Sequence, residues 1–283
     1  MKNGENDYLI ASDGTVYPLD ALGVAVTGLA QVPVEYRTRE GYKMHGVAVD
    51  DWRLTTRTLS FAFSLHSLTR QQLWQRRQAL IDLLSPQGGM VTYRKILPDG
   101  RRRDIRGWLD ANLTIEDRDG RSADVGFGLF CPDSTFFDPT RKAISLEPSK
   151  VGALVVPFWI PDELWVGNGT LFSGTVTNRG NVAAYPRISV TGPYERLVLM
   201  NQTTGASFTL GVTLPSLKAI VIDLTPGLIA VTRDGVNALD EVDGNLVEWQ
   251  LLPGDNVLSS SGAGVLVGQS SVHIDFHERY IAL

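Results

Sequence analysis

The sequence is poor in cysteine, in histidine and in long apolar runs. It has one cysteine, Cys131, and four histidines in 283 residues. A single cysteine cannot form an intramolecular disulfide, and it excludes a zinc site built on several thiolates. No apolar run reaches the about 18 residues of a membrane-spanning helix, and the first residues lack the charged-then-apolar pattern of a secretion signal. We therefore expect no disulfide, no membrane insertion and no secretion.

The charge is small and unevenly distributed. A net charge of −5 argues against broad electrostatic capture of nucleic acid. Residues 1–150 have 20 basic and 19 acidic side chains, whereas residues 151–283 have 6 and 12. The change falls near two acid-proline pairs, which disfavour helix and are typical of a surface linker. We predict domains at 1–140 and 153–283, joined by a linker at 141–152.

One segment is predicted to be a helix, over residues 69–85. Thr69 and Gln72 form a T-x-x-Q capping box, and Leu68 and Leu73 occupy the two positions of a hydrophobic staple. The helix is expected to end at the Ser85-Pro86 and Gly88-Gly89 pairs that follow. Its apolar stripe is predicted to consist of Leu73, Trp74, Leu80, Ile81 and Leu84.

The remaining pattern has a period of two, which is typical of half-buried strands. Leu59, Phe61, Phe63 and Leu65 alternate with small or polar residues. Short strands separated by turn residues continue through the second half, as in a sandwich or barrel. The predicted fold class is mainly β with two domains, the first a β-sandwich or split-barrel-like domain with one docked helix. Further strands are predicted at Ile105–Ile115, Val125–Leu129, Ile188–Val190, Ile220–Leu224 and Val272–Phe276.

No residue pattern points to catalysis, a metal or a cofactor. His273 and His277 are four residues apart, but in a strand-like segment without an H-E-x-x-H motif. Asp240, Asp243 and Asn245 have the alternate spacing of a calcium loop, without its closing glutamate at the required distance. We predict no catalytic residue, no metal ligand, no cofactor and no enzymatic activity.

Two groups of residues are candidates for partner contact. Arg101–Arg103, with Arg94, Lys95 and Arg106, are expected around one hairpin turn, either as a solvated turn or in contact with phosphate or an acidic neighbour. Trp159 and Trp165 flank a short segment that contains Pro161, and exposed rings of this kind stack on sugars or anchor a protein partner. Core packing is the other interpretation of both tryptophans.

The order of these segments resembles the distal tail proteins of long-tailed, non-contractile bacteriophages, the siphovirus tail component family. In the first half the resemblance rests on the strand, the helix end, the basic hairpin and the domain exit: "RTLSFAFSL", "LIDLLSPQGG", "MVTYRKILPDGRRRDIRGWL" and "VGFGLFCPDSTFFDP". In the second half it rests on strands and turns in the family's order: "NRGNVAAYPRISVTGP", "LMNQTTGASFTL", "AIVIDL", "VTRDGVNAL" and "VEWQLLPGDNVL".

The resemblance implies a structural protein of the virion, at the distal end of the tail. Six copies of the first domain would form a ring joining the tail tube to the hub or baseplate, with a channel through which DNA passes. The second domain would be a galectin-like β-sandwich. The implied partners are the tail tube protein, the hub or tail-associated protein, the tape-measure protein and receptor-binding proteins.

A second interpretation is a carbohydrate-binding adhesion module, because galectin-like sandwiches can bind glycans. Trp159, Trp165 or Trp249 would then provide the stacking face. A glycan binder should hold saccharide as a monomer, whereas a tail adaptor should oligomerise without sugar.

Overall fold

The structure is a computed structural model that describes residues 6–19, 24–42, 45–148 and 170–283. It divides into two compact units. The first comprises Met1–Pro139 and Tyr280–Leu283, and the second comprises Thr140–Arg279. The chain therefore leaves the first unit once and returns to it with its last residues.

The first unit contains most of its strands in one sheet, with a single α-helix among its described residues. Its elements are β1 (Asn6–Ile10), β2 (Val16–Pro18), β3 (Ala25–Thr27), β4 (Val34–Arg39), β5 (Ala48–Leu54), β6 (Arg57–His66), α1 (Arg70–Leu84), β7 (Val91–Ile96), β8 (Arg102–Asp117), β9 (Ser122–Cys131) and β10 (Phe136–Phe137). The main sheet has the order β2-β1-β7-β8-β9-β6-β3, and β10 pairs with β8. Strands β4 and β5 form a separate two-stranded sheet.

The core of the first unit follows from the alternation of β6 and β9. Leu59, Phe61, Phe63 and Leu65 of β6 are buried, as predicted. Phe61 stacks on Phe127 of β9, with ring centroids 4.7 Å apart. The buried face of α1 packs into the same cluster with Leu73, Leu80, Leu83 and Leu84.

The start of the predicted helix is confirmed at its cap and wrong at its staple. Thr69 Oγ1 accepts a hydrogen bond from the backbone N–H of Gln72 at 3.2 Å. Leu68, however, is 83% exposed and packs no staple. The backbone N–H of Ser67 instead donates to the carbonyl of Arg121, which holds the chain where it enters the helix.

The predicted stripe of α1 is wrong at Trp74 and Ile81, which are exposed, and it lacks the buried Leu83. Successive helical residues are rotated by about 100°, so residues that directly follow Leu73 and Leu80 lie on the flank of the buried face. The helix therefore buries one row of leucines and presents a second apolar row to solvent.

The second unit contains two antiparallel sheets around one core. Its strands are β11 (Lys142–Leu146), β12 (Thr170–Asn178), β13 (Arg187–Thr191), β14 (Arg196–Asn201), β15 (Ser207–Leu210), β16 (Ala219–Asp223), β17 (Ala230–Arg233), β18 (Val236–Asn237), β19 (Val242–Gly244), β20 (Gly254–Ala263) and β21 (Ser271–Phe276), before the closing strand β22 (Arg279–Tyr280). The sheet orders are β11-β21-β13-β16-β17-β18 and β12-β20-β14-β15-β19. The inward side chains of both sheets share one apolar cluster, which defines a sandwich.

The predicted strands of this unit are confirmed. The strands predicted at Ile188–Val190, Ile220–Leu224 and Val272–Phe276 correspond to β13, β16 and β21. Asp234 and Gly235, between β17 and β18, have φ of 51° and 82°. Two positive φ angles in a two-residue loop define the turn that matches the twist of a hairpin.

The linker predicted at 141–152 is wrong over Lys142–Leu146, which is β11. This strand pairs with β21 in register from Lys142 opposite Phe276 to Leu146 opposite Val272. Residues 149–152 lie outside the described part of the chain. The polar composition of this segment is typical of a linker. Its partner strand β21 is so distant in sequence that no local pattern reveals the pairing. The predicted mainly β class with one docked helix is confirmed.

Candidate functional site

The basic cluster predicted at the β7–β8 turn is largely neutralised within the first unit. Arg94 donates two hydrogen bonds to the buried carboxylate of Asp104, at 2.8 and 2.7 Å. This bidentate contact raises the pKa of Arg94. Arg101 pairs with Asp99, Arg103 with Asp138 and Lys95 with Asp7. Four of the six basic side chains are therefore in ion pairs, while Arg102 and Arg106 are exposed, the latter with its guanidinium 5.0 Å from the centroid of the Phe137 ring.

A buried arginine holds the end of the chain in the first unit. The Arg57 guanidinium donates to the carbonyls of Gly28 and Leu29 at 2.9 Å each, and to the carbonyl of Ile281 at 2.5 Å. It also lies 4.9 Å from the centroid of the Phe136 ring. Burial lowers the pKa of Arg57, because the charged form is poorly solvated there. Three separate parts of the chain are thus joined by one side chain.

Cys131 is buried next to this arginine. Burial raises the pKa of its thiol to about 12, so the thiolate that would act as a nucleophile or metal ligand is scarce at neutral pH. We expect a thiol-reactive dye to label the folded protein poorly and to label one thiol per chain in denaturant. Fast labelling of the folded protein would contradict the burial of this side chain.

Of the three tryptophan candidates for a glycan-stacking face, the structure describes Trp249. Trp159 and Trp165 lie outside the described residues. Trp249, the third candidate, is fully buried against Phe208, with ring centroids 5.9 Å apart. Trp249 is therefore a core residue of the sandwich.

The polar candidates of the second unit lie on its surface. His273 Nδ1 is 3.0 Å from Ser145 Oγ on the neighbouring strand, at an exposed position. Asp275 nearby pairs with Arg141, at 3.0 Å, and does not orient the imidazole. Within the described residues no three carboxylate, histidine or cysteine side chains are placed to hold a metal ion.

The two-stranded sheet β4–β5 is an amphipathic hairpin. Its register places Tyr36 opposite Trp52, and Val34 opposite Leu54. Because side chains alternate along a strand, these four lie on one face. A bulge after Arg37 shifts the register of β5 by one residue. Val49 is therefore opposite Thr38 and lies on the same face as Tyr36 and Trp52. We call Tyr36, Val49 and Trp52 the hairpin face; each is more than half exposed, at 59%, 57% and 58%.

The other face of the hairpin carries charges that pair with one another. Arg53 binds Glu35 at 2.7 Å, and Arg37 is directly opposite Asp51. Arg39 lies 3.5 Å from Asp50. A two-stranded hairpin is only marginally stable alone in water, and its apolar face normally packs on something.

A second exposed apolar surface lies on α1. Trp74 and Ile81 are 55% and 43% exposed, and a spacing of seven residues places them on the same side of the helix. The guanidinium of Arg77 lies 5.1 Å from the centroid of the Trp74 ring and 2.6 Å from Asp117. We call Trp74, Arg77 and Ile81 the helix face.

Several exposed apolar residues of the second unit lie in turns and in an edge strand, and Met200 and Val257 lie in the interior strands β14 and β20. Leu217 precedes β16, Leu228 follows it, and Val236 is in the edge strand β18. Single exposed apolar residues are ordinary on protein surfaces. In the described part of the chain no helix is long and apolar enough to cross a membrane.

The fold of these two β units is similar to folds among solved structures of phage proteins. A search of solved structures finds a crystal structure of the SPP1 Dit protein, described as a paradigm of the hub adsorption apparatus in phages that infect Gram-positive bacteria. It matches with a TM-score of 0.63 and 17% identity, over 96% of this chain and 98% of that one. Dit denotes a distal tail protein.

Two structures of the phage P2 baseplate in its activated conformation also match. The one with Ca has a TM-score of 0.51 and 10% identity, and the one with Sr has 0.53 and 9%. Each match covers 96% of this chain and 97% of the other. No protein-family model and no curated protein sequence matches.

Proposed function

We propose that this protein is a structural component of the phage tail tip, a distal tail protein. Six copies form a ring that joins the tail tube to the hub or baseplate and leaves a channel for DNA. The observation that carries the proposal is the shared fold, which extends over 96% of this chain and 98% of the SPP1 Dit protein. The match covers both units rather than one common β domain.

The surface of the first unit supports assembly. A closed ring of identical chains needs two different surfaces on each copy, one fitting the other on the next copy. The hairpin face and the helix face are two such apolar surfaces on one unit.

The function requires no catalytic group, and the proposed partners are other tail proteins. One side of the ring would contact the tail tube protein. The opposite side would contact the hub or tail-associated protein, with the tape-measure and receptor-binding proteins as further neighbours. The proposed location is the distal end of the virion tail.

Nothing in the described residues favours the alternative of a glycan-binding module. Its candidate Trp249 is buried, and the other two tryptophans are not described. The alternative predicts saccharide binding by a monomer.

The mass of the purified protein in solution tests the proposal. Light scattering behind a sizing column should give about 186 kDa, six times the chain mass of 31.0 kDa. The mass should not depend on added saccharide. A mass of 31.0 kDa at all protein concentrations, with binding to a glycan array, would favour the alternative.

A further inference from the structure

We infer that the hairpin face of one copy docks on the helix face of the next copy, and that this contact closes the ring. The inference rests on the proposed function and identifies the surfaces that perform it. It depends on three observations: the two-faced character of the hairpin, the area it exposes, and the second apolar surface on the same unit.

The different side chains on the two faces of the hairpin determine which face is available to a partner. The charges of one face form cross-strand pairs, Glu35 with Arg53 and Asp50 with Arg39. The opposite face has two aromatic rings directly opposite each other and one valine, all more than half exposed. Cross-strand aromatic pairs stabilise a hairpin modestly, but they do not remove the apolar surface from water. Burial of this face against a partner would stabilise the hairpin and remove the apolar surface from water.

The apolar area that the hairpin face exposes is smaller than one side of a stable two-protein interface, so the contact needs further surface and ring closure. At about 150–250 Å² per aromatic side chain, the hairpin face exposes roughly 300–400 Å². A stable interface between two proteins buries about 800 Å² on each side. The hairpin face therefore supplies the apolar centre of an interface, and the remainder must come from the surrounding polar surface and from ring closure.

The helix face is a chemically suitable partner. Trp74 and Ile81 offer a second apolar strip, and Arg77 is already held beside the indole by its ion pair with Asp117. Aromatic and arginine side chains are the residue types enriched at the centres of interfaces. A contact between two different surfaces is heterologous, which is the kind that generates a ring.

Cysteine cross-linking of the full chain tests the pairing. The native Cys131 is buried and gives little background. The double variant V49C/I81C, treated with a short bismaleimide, should give a ladder of up to six joined chains on a denaturing gel. Either single variant should give no product alone, and a mixture of the two single variants should give dimers only.

The self-reaction of V49C would overturn the inference, because it would show hairpin facing hairpin. The inference would also be overturned if the double variant formed rings like those of the wild type but gave no cross-links. In that case the ring, and with it the proposed function, would stand.

Charge substitution gives an independent measurement. V49D and I81D should each lower the association constant at least tenfold, and shift the mass from about 186 kDa towards 31.0 kDa. Val236→Asp is the matched control, because Val236 is also a strand valine and is 69% exposed, in the second unit. It should leave the mass unchanged. Melting curves should show that all three variants are folded.

The outcomes separate the two proposals. Rings that persist in V49D and I81D overturn the inference and leave the proposed function intact. A wild-type chain that stays monomeric at all concentrations overturns the self-association on which both depend.

Discussion

Leu80→Asp should unfold the first unit. Leu80 is fully buried in the leucine row of α1, within the core that contains Leu59 and Phe61. An unpaired carboxylate at this position costs several kcal/mol, which is comparable with the about 5–15 kcal/mol of total stability of a domain. The circular-dichroism change on heating the full chain should be smaller than for the wild type, because the first unit is already unfolded at low temperature. Limited proteolysis should then cut within residues 6–139.

The neighbouring residue provides the matched control. Ile81→Asp introduces the same charge one position later, on the exposed side of the helix, and we expect a change of less than about 1 kcal/mol in the free energy of unfolding. Its effect should appear in the assembly state instead. Leu80→Asp melting like the wild type would show that the buried side of α1 has been assigned incorrectly.

Arg57→Ala should destabilise the first unit by about 2–4 kcal/mol. The substitution removes the donors to the part-buried carbonyls of Gly28, Leu29 and Ile281, and a fully buried carbonyl without a donor costs about 1–3 kcal/mol. It also leaves a cavity beside Phe136. Urea unfolding should show a lower midpoint, with little change in the slope that reports exposed surface.

Arg118→Ala is the control for this experiment. Arg118 forms an ion pair with Asp124 at 2.6 Å, but its side chain is 63% exposed. Exposed ion pairs contribute about 0–1 kcal/mol, so this variant should unfold close to the wild type. Equal losses in both variants would show that Arg57 is not a specific anchor for the end of the chain.

Local patterns in the sequence predicted the elements whose partners are close or whose periodicity is strong. The alternation of Leu59, Phe61, Phe63 and Leu65 determines which face of β6 is buried, and β6 is strand as predicted. The cap at Thr69 specifies the start of α1. In both cases the information lies within a few residues.

Long-range pairing explains the wrong linker prediction and the unpredicted burial of Arg57. Lys142–Leu146 is strand because β21, more than a hundred residues later, provides its partner. Arg57 is buried because its acceptors come from Gly28, Leu29 and Ile281. No local composition identifies such partners.

The candidate assembly surfaces were missed although part of the signal was present. Tyr36 and Trp52 each alternate with charged neighbours, in the segments "VEYRTR" and "VDDWRL". This alternation indicates an amphipathic strand, but the bulge after Arg37 interrupts the period and hides Val49. Trp74 and Ile81 were assigned to the core because apolar residues one position apart on a helix are easily included in one stripe.

Electron microscopy of the peak from the sizing column tests the central claim most directly. Class averages of negatively stained particles should show a six-fold ring with an open centre, as expected for an adaptor through which DNA passes. Particles without rotational symmetry, or closed discs with no central opening, would contradict the account of this protein as a ring-forming distal tail protein.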